Sequence, residues 1–339
     1  MSRPTLQAIA DRLGISKMTV SRALRGEPHV TASLREQVKQ AAQELGYRPD
    51  PEISKLMAHM RRSRRSASPR TLGFIWAERT AAEVRHSPWS MHLIAGVRGR
   101  ADHLGFHVSE FHLADKGMTA ARLSGILEAR GIPGFILSPL LSRSRGHLST
   151  HWEKFSSVVI GLGYARPARH RVHHHHYLGM MTAMRQLRKL GYRRIGFFSG
   201  TTVNERMFGA WSASFLTHHP LPVAQAAELL CLKRTPSKTE LLEWVKRARP
   251  QVVIDGGVTA YDWLKGFSIP MDIGYATLAW QPERPVFSGI DQQPDVLGAA
   301  AVDLLVEQFH HNEHGAPEHP KFVMTEGLWR EGTTVRRVR

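Results

Sequence analysis

The sequence predicts a small N-terminal module of α-helices followed by a larger α/β part with two lobes. Three observations lead to this prediction. Apolar residues recur at helical spacing through the first 50 or so positions, and short apolar runs alternate with helical stretches from Thr71 onward. A run rich in arginine and serine separates the two regions. Because 339 residues exceed what one hydrophobic core normally serves, we expect more than one domain.

The charge of the chain indicates a polyanionic partner. The sequence has 46 Lys and Arg against 29 Asp and Glu, a formal net charge of +17. Residues 1–70 hold 14 of the basic and six of the acidic residues, so a net +8 lies near the N-terminus. The single Cys231 argues against a disulfide framework or a cysteine-built metal site. No apolar run reaches membrane-spanning length, and we expect a cytoplasmic protein.

The first two helices are predicted on either side of a tight turn. One helical face of the first helix carries the apolar residues Leu6, Ile9, Ala10 and Leu13. Gly14 ends this helix, and Ser16 is a suitable N-cap for a second helix at 17–24. The inward stripe of the second helix consists of Val20, Ala23 and Leu24. Its outward face then carries the polar and basic residues Lys17, Ser21 and Arg22 together with Met18.

A third helix completes the N-terminal module. It is predicted from about Thr31, with Ser33 and Glu36 as a capping pair and Gly46 as its stop. The inward residues are Leu34, Val38, Ala41 or Ala42, and Leu45. Three helices whose second member shows basic side chains to solvent have the geometry of a helix-turn-helix. We assign this all-α headpiece to residues 1–49.

A hinge helix is predicted at 50–60, followed by a basic linker at 61–70. Asp50 and Pro51 favour a helix start, and the apolar residues Ile53, Leu56, Met57 and Met60 share one face. A helix this short cannot bury that stripe alone. Its partner is either the same helix of a second subunit or the floor of a DNA minor groove, where an apolar wedge separates base pairs.

These segments resemble the DNA-binding headpiece and hinge helix of the lactose-repressor/galactose-repressor family of bacterial transcription regulators. The resemblance is carried by Thr5-Leu6 through Ala10, Gly14-Ile15-Ser16, Thr19-Val20-Ser21-Arg22, Leu45-Gly46-Tyr47-Arg48-Pro49 and Leu56. It implies a homodimer bound to a near-palindromic operator in double-stranded DNA, and therefore a location at the bacterial nucleoid. The residues expected to read bases are Lys17, Met18 and Arg22. Phosphates would be contacted by Ser16, Thr19, Ser21, His29 and Thr31, and Leu56 would be the minor-groove wedge.

Each of these roles has an alternative. Arg22 could contact phosphate or form a surface ion pair, and Lys17 could touch phosphate alone. Met18 could fill the small core of the headpiece instead of contacting a thymine methyl group. Leu56 could pack within the hinge.

From residue 71 onward, strand and helix patterns alternate. The predicted strands are 71–76, 106–113, 134–140, 156–163, 195–199, 251–254 and 273–278. Such alternation predicts parallel sheets with helices on both faces, here as two doubly wound lobes. Ligands of such folds bind beyond the carboxyl ends of the strands, so we expect a ligand cleft between the lobes.

The resemblance continues, more weakly, to the effector-binding core of the same family, which is similar to periplasmic sugar-binding proteins. It implies a dimerising core at 71–339 that binds a small, carbohydrate-related effector. Lobe one is placed near 71–164 plus 288–320, and lobe two near 165–287 plus 321–339.

Three residues are effector-binding candidates. Arg206 lies in a segment that resembles the family's Arg-x-x-Gly, where a guanidinium can hold hydroxyls or a carboxylate, although a structural salt bridge is the alternative. Trp89 either stacks on a ligand or belongs to the core. The family commonly has an Asn-Asp pair where this chain reads Asp255-Gly256-Gly257, so the acid lies two residues early. The effector then differs from a simple sugar or is absent.

The run His173-His174-His175-His176 invites a metal site, but no metal is expected. Adjacent strand residues point alternately, so at most two could share a site, and no acidic or cysteine ligand is nearby in sequence. We expect incidental surface histidines, while a ligand contact or a pH-sensitive role for one of them stays open.

Enzyme motifs are absent from the sequence. There is no phosphate loop, complete dinucleotide fingerprint or nucleophile elbow, so we expect no catalytic residue and no cofactor. The leading hypothesis is a ligand-responsive transcription repressor. The alternatives are a solute-binding receptor without DNA function and an enzyme acting on a small sugar or nucleotide.

Overall fold

The computed structural model describes residues 5–24, 31–47, 70–140, 152–163, 168–257, 259–265 and 273–338. The chain divides into two units, Met1–Ser68 and Pro69–Arg339. The predicted hinge helix at 50–60 lies outside the described residues, as do residues 61–69 of the predicted linker, His29 and Leu56. No helix in the described part is long and apolar enough to cross a bilayer.

The first unit contains three helices around one small core. They are α1 (Leu6–Leu13), α2 (Lys17–Leu24) and α3 (Ala32–Glu44). The side chains buried between them are Ile9, Ala10, Val20, Ala23, Val38, Ala41 and Ala42. Leu6, Leu13, Leu24, Leu34 and Leu45 pack at the margin of the same core. The predicted inward faces of all three helices are therefore confirmed.

Helix caps set the limits of these elements. Gly14 ends α1 in the left-handed region at φ +63°, which glycine adopts without steric cost. The Thr19 amide donates to Ser16 Oγ at 3.1 Å, as expected of an N-cap. At α3 the Leu34 amide donates to Thr31 Oγ1 at 3.4 Å. The predicted capping pair of Ser33 and Glu36 is therefore wrong, because Ser33 lies inside the first turn.

The second unit contains two six-stranded sheets. The strands of the first sheet are β1 (Arg70–Trp76), β2 (Phe106–His112), β3 (Gly134–Leu137), β4 (Ser156–Ile160), β5 (His170–His174) and β11 (Phe322–Thr325). Those of the second are β6 (Ile195–Gly200), β7 (Leu230–Lys233), β8 (Val252–Asp255), β9 (Gly274–Thr277), β10 (Ser288–Asp291) and β12 (Leu328–Arg330). The orders are β11-β5-β4-β3-β1-β2 and β12-β10-β9-β8-β6-β7, and every neighbouring pair is parallel except β10 with β12.

Helices connect most of these strands. They are α4 (Ala81–Arg85), α5 (Pro88–His103), α6 (Ala120–Ala129), α7 (His176–Lys189), α8 (Thr201–Arg206), α9 (Ala210–His218), α10 (Val223–Glu228), α11 (Lys238–Ala248), α12 (Thr259–Lys265) and α13 (Pro294–His311). On β1, Leu72 and Phe74 share a core with α5 and α13. Ile75, which faces the opposite side of the same strand, shares a core with α6. Both faces of the first sheet are thus covered, and the predicted doubly wound architecture is confirmed.

The chain passes between the lobes at three places, but not at the predicted positions. The crossings follow β5, β10 and β11, since α7 and β12 belong with the second sheet and α13 packs on the first. The predicted limits put 165–174 and 321–325 in lobe two, whereas β5 and β11 lie in the first sheet. They also put 288–291 in lobe one, whereas β10 lies in the second.

The reason for this difference is the composition of β5. His170, Arg171, His173 and His174 give the strand no apolar pattern, yet all five of its residues are buried. The strand is paired on both sides, with β4 and with β11, so its burial comes from tertiary position and not from a local signal. Without β5, the sequence pattern placed the first crossing too early.

Candidate functional site

The first candidate site is the exposed side of α2. Lys17, Met18 and Arg22 are exposed there, while Val20 and Ala23 of the same helix are buried in the core. The Met18 side chain is 61% exposed, so it does not fill the core of the headpiece. The structure brings the three predicted base-reading residues together on one surface of α2. This surface combines two cations with one apolar side chain, which suits base edges and thymine methyl groups in a major groove.

The structure describes four of the five residues that are predicted to contact phosphates. Ser16 and Thr31 are the N-caps of α2 and α3, and Thr19 is half-buried with its hydroxyl oxygen 2.8 Å from Ser16 Oγ. Backbone amides at helix N-termini are ready donors to phosphate oxygens. Ser21 is half-buried on the same helix.

The second candidate site is a cavity of about 290 Å³ in the larger unit. It is lined by segments that follow the carboxyl ends of strands in both sheets, namely Pro139 and Leu140, Gly161 to Gly163, Val203 and Arg206, Gly256, Gln281 and Gln292. This is where doubly wound sheets bind ligands, and the cavity lies between the lobes as the sequence predicted.

Arg206 lines the cavity at the end of α8. Its Nη1 donates to the Leu140 carbonyl oxygen at 2.9 Å, which joins the two lobes. Its buried Nε has no hydrogen-bond partner among the described residues. Burial lowers the pKa of the guanidinium, and the negative charge of Glu78 opposes that shift. Arg206 is therefore a contact between lobes, a residue of the cavity lining and a buried side chain with one unsatisfied donor.

Two tryptophans form apolar walls of the cavity. Trp89, in the first turn of α5, is half-buried and also packs against the core of the first lobe. Trp89 thus contacts the core and borders the cavity, while its stacking on a ligand stays a prediction. Trp211, on α9, is buried and lies edge-on to the His176 ring at a centroid distance of 5.3 Å. Sequence reasoning missed Trp211, because nothing in the local pattern of α9 separates it from core residues.

Asp255 does not line the cavity, which corrects its assignment as an effector contact. It is 4% exposed, and its carboxylate accepts hydrogen bonds from the amides of Gly257 and Ala260 and from the Tyr275 hydroxyl, at 2.9, 2.9 and 3.1 Å. Burial raises the pKa of this carboxyl group, and the three hydrogen bonds lower it in part. Asp255 therefore shapes the turn after β8 and holds Tyr275.

Three of the four consecutive histidines line the cavity, so the expectation of incidental surface residues is wrong. His173 and His174 end β5 and His176 begins α7, and all three are buried. The His176 ring lies 5.1 Å from that of His174 and 6.2 Å from that of His173, measured between centroids. His175 instead caps α7, accepting the Leu178 amide at 3.3 Å. The chain changes from strand to helix at 174–176, and this change allows three of the histidines to line the same cavity. In a continuous strand, alternate side chains would point to opposite faces of the sheet.

The buried histidines are held in their neutral form. Burial is the main cause that lowers the pKa of His174 to about 4, and the neighbouring rings of His175 and His173 add to it because each would repel a second positive charge. The pKa values of His173 and His176 are lowered too, again mainly by burial. The His174 ring is enclosed by two glycines, since a Cβ at Gly327 or Gly179 would lie 2.6 or 2.8 Å from it. Within the described residues, no group of three His, Cys, Asp or Glu side chains is arranged to hold a metal ion.

These shifts predict a loss of stability in mild acid. Because the pKa of His174 lies lower in the folded protein than the usual value near 6.5, the unfolded chain binds more protons between pH 6.5 and 4. The free energy of unfolding should fall through that window, by about 3 kcal/mol from His174 alone once the pH is below 4. Urea unfolding at several pH values, followed by tryptophan fluorescence, measures this. The variant His174→Gln should flatten the profile, whereas His319→Gln, at a side chain that is 91% exposed, should leave it unchanged.

Comparison with known proteins identifies relatives of both units. A sequence profile described as "Bacterial regulatory proteins, lacI family" matches residues 5–50. The HTH-type transcriptional regulator GntR of Escherichia coli strain K12 is 52% identical over 53 residues, which are 15% of this chain and 16% of that protein. The match thus spans about a sixth of that relative's length.

Solved structures match almost the whole chain. The complex of the transcriptional regulator CelR with cellobiose has a TM-score of 0.61 at 20% identity, covering 98% of this chain and 100% of that one. The lac repressor dimer bound to operator and the anti-inducer ONPF has a TM-score of 0.57 at 16% identity, covering 98% and 99%. At these identities the likeness shows the fold, which is that of a headpiece followed by a two-lobed core similar to periplasmic binding proteins.

Proposed function

Because the chain belongs to the lacI family of bacterial regulatory proteins, the lactose-repressor/galactose-repressor family, we propose that it is a sequence-specific transcription regulator that acts as a repressor. Its operator affinity is modulated by a small, carbohydrate-related effector in the cavity between the lobes. The observation that carries the DNA-binding role is the exposed surface of α2. Lys17, Met18 and Arg22 project from a helix whose other side is fixed in the core.

The regulator acts as a homodimer on a near-palindromic operator in the bacterial cytoplasm, at the nucleoid. One helix-turn-helix contacts only a few base pairs, so two copies related by a two-fold axis supply a site of useful length. Support comes from the lac repressor structure, a dimer bound to operator, which has the same fold over nearly all of this chain. Leu56, outside the described residues, is the proposed minor-groove wedge in each subunit.

The effector couples to DNA through the angle between the lobes. Arg206 of the second lobe already contacts the Leu140 carbonyl of the first, so a ligand that engages Arg206 changes a contact between lobes. A ligand with different affinities for two lobe arrangements shifts the balance between them, and DNA binding shifts with it. CelR, with cellobiose bound, supports a carbohydrate-related effector.

The alternatives fit the described residues less well. A solute receptor without DNA function leaves the exposed Met18 and its two flanking cations on α2 without a purpose. An enzyme acting on a sugar or nucleotide could use the cavity histidines as acid or base, but it would also need a carboxylate or nucleophile beside them. Among the described residues no Asp or Glu lines the cavity, and the buried carboxylate of Asp255 is engaged by two amides and a hydroxyl. The curated relatives are transcriptional regulators, consistent with a protein that is not an enzyme.

The proposed function is tested by selecting bound duplexes from a random DNA pool with the full-length protein at near-physiological salt. We expect a two-fold symmetric motif with a flexible pyrimidine–purine step at its centre. A parallel selection in the presence of a metabolite extract covers the case of an effector that promotes binding. Failure to enrich any motif in both selections, or binding that vanishes with added salt, contradicts the proposal.

A further inference from the structure

The charge of the cavity differs from what a neutral sugar requires. Its lining includes two arginines and three histidines, namely Arg79, Arg206, His173, His174 and His176. Among the described residues, no Asp or Glu lines it. Hydroxyl hydrogens of a neutral sugar would therefore find no carboxylate acceptor, whereas an anion would find several cationic or N–H donors.

Three nitrogen atoms around the cavity are buried without a hydrogen-bond partner in the described part of the chain. They are Arg206 Nε, His174 Nδ1 and His176 Nδ1. Buried polar atoms are normally satisfied, and an unsatisfied one costs about 1–3 kcal/mol. Of the three, Arg206 Nε always carries a hydrogen and so lacks an acceptor, whereas each imidazole nitrogen lacks an acceptor or a donor according to its tautomer.

The rest of the lining defines the size and polarity of the ligand. Trp89 and Trp211 supply flat apolar surfaces, which suit the C–H faces of a carbohydrate. The amides of Gln281 and Gln292 can bond hydroxyl groups, and the Gln292 Nε2 already donates to the Leu278 carbonyl at 2.6 Å. A volume of about 290 Å³ lies at the low end for ligand sites and fits a molecule the size of one sugar.

We propose that the cavity binds a small polyhydroxylated anion, a sugar acid or a sugar phosphate, in preference to a neutral sugar. The inference rests on the proposed function, since it names the class of the effector. Arg206 pairs with the oxyanion, the histidines donate to it, and the tryptophans cover the carbon chain. Carboxylate and phosphate share this chemistry, so the experiment distinguishes them.

Anion binding should also take up protons. The groups that face His176 are His173, His174, His175 and Arg206, all of which oppose its protonation, as burial does. Glu78 acts on Arg206 from outside the lining, and Arg171 acts on His173. No Asp or Glu is among the described lining residues, so a bound anion adds a negative charge beside the rings, raises the histidine pKa values and favours proton uptake.

The test uses calorimetric titration of the full-length protein with matched pairs at pH 7. Each pair joins an acid to its neutral parent: gluconate and glucose, galacturonate and galactose, glucose 6-phosphate and glucose. We expect at least one acid to bind with a Kd about tenfold or more below that of its parent. Tight binding by phosphates alone, or by carboxylates alone, identifies the oxyanion. Neutral parents that bind as tightly as their acids, or no preference for any acid, overturn the proposal.

Variants and buffers provide the second readout. Arg206→Met should weaken binding of the acid by about tenfold or more, whereas Arg188→Met, an equal charge loss at an exposed position of α7, should not. The binding heat should differ between Tris and HEPES buffers, as proton uptake requires. If Arg206→Met binds the acid as tightly as the unaltered protein does, the acid does not bind in this cavity.

If an operator is selected from random DNA and no acid is preferred over its neutral parent, only the inference about the ligand fails. If acids bind and no operator is selected, the proposed DNA function fails.

Discussion

Arg22→Ala is expected to weaken operator binding by about 1–3 kcal/mol, or roughly 5- to 150-fold, while affinity for random DNA changes far less. The reason is geometric. Arg22 is exposed one turn after Met18, on the surface of α2 that faces away from the core. A guanidinium there can bond a guanine edge in two places, and alanine can make neither bond. The measurement is a titration of the selected operator and of a scrambled duplex at two salt concentrations.

Lys39→Ala is the matched control for Arg22→Ala. It removes the same charge from an exposed position on α3, outside the proposed base-reading surface. We expect Lys39→Ala to change the affinity for the operator and the affinity for the scrambled duplex by the same factor, because a phosphate contact carries no sequence information. Equal losses on both duplexes for Arg22→Ala would mean that Arg22 contacts phosphate and does not read a base.

Gly96→Ala is expected to destabilise the larger unit by about 3 kcal/mol. Gly96 lies where α5 crosses α13, and a Cβ at this position would overlap the backbone carbonyl of Asp295. From the other helix, a Cβ at Gly298 would lie 2.5 Å from the Leu93 carbonyl oxygen. Because both obstacles are backbone, the helices must separate to admit a methyl group. All eight tryptophans lie at position 76 or later, so tryptophan fluorescence during urea unfolding reports this unit alone.

Gly99→Ala is the control, and it is expected to change the free energy of unfolding in the opposite direction. Gly99 lies on the same helix, three residues further on, and is exposed with no atom within 4 Å of the position of a Cβ. Alanine there should stabilise the unit by about 0.5–1 kcal/mol, because it favours the helix over the unfolded chain. A Gly96→Ala variant as stable as Gly99→Ala would contradict the close crossing of α5 and α13.

The headpiece and the strand–helix alternation could be predicted because their signals are local. Leu6, Ile9 and Leu13 define a helical face within eight residues, and Gly14 marks its end. The assignment of β5 could not be made this way. Its histidines and arginine are buried because β4 and β11 flank the strand, and β11 lies about 150 residues away in sequence.

The cavity could be predicted in position but not in chemistry. Arg206 is indicated by its resemblance to the family's Arg-x-x-Gly, and Trp89 by its place in the first turn of a long helix. Asp255 was misassigned because its partner Tyr275, twenty residues later, turns the carboxylate inward. Spacing along the sequence does not reveal such a pairing. The alternation of a strand predicts that at most two of the four histidines share a site, but this alternation ends at the change from β5 to α7.

The most direct test of the account is thermodynamic linkage between the two sites. Operator affinity is measured without ligand and with a saturating acid from the calorimetric panel, and the affinity for that acid is measured with and without operator. We expect both affinities to change by the same factor, because coupling between two sites is reciprocal. An acid that binds in the cavity and leaves operator affinity unchanged would contradict it.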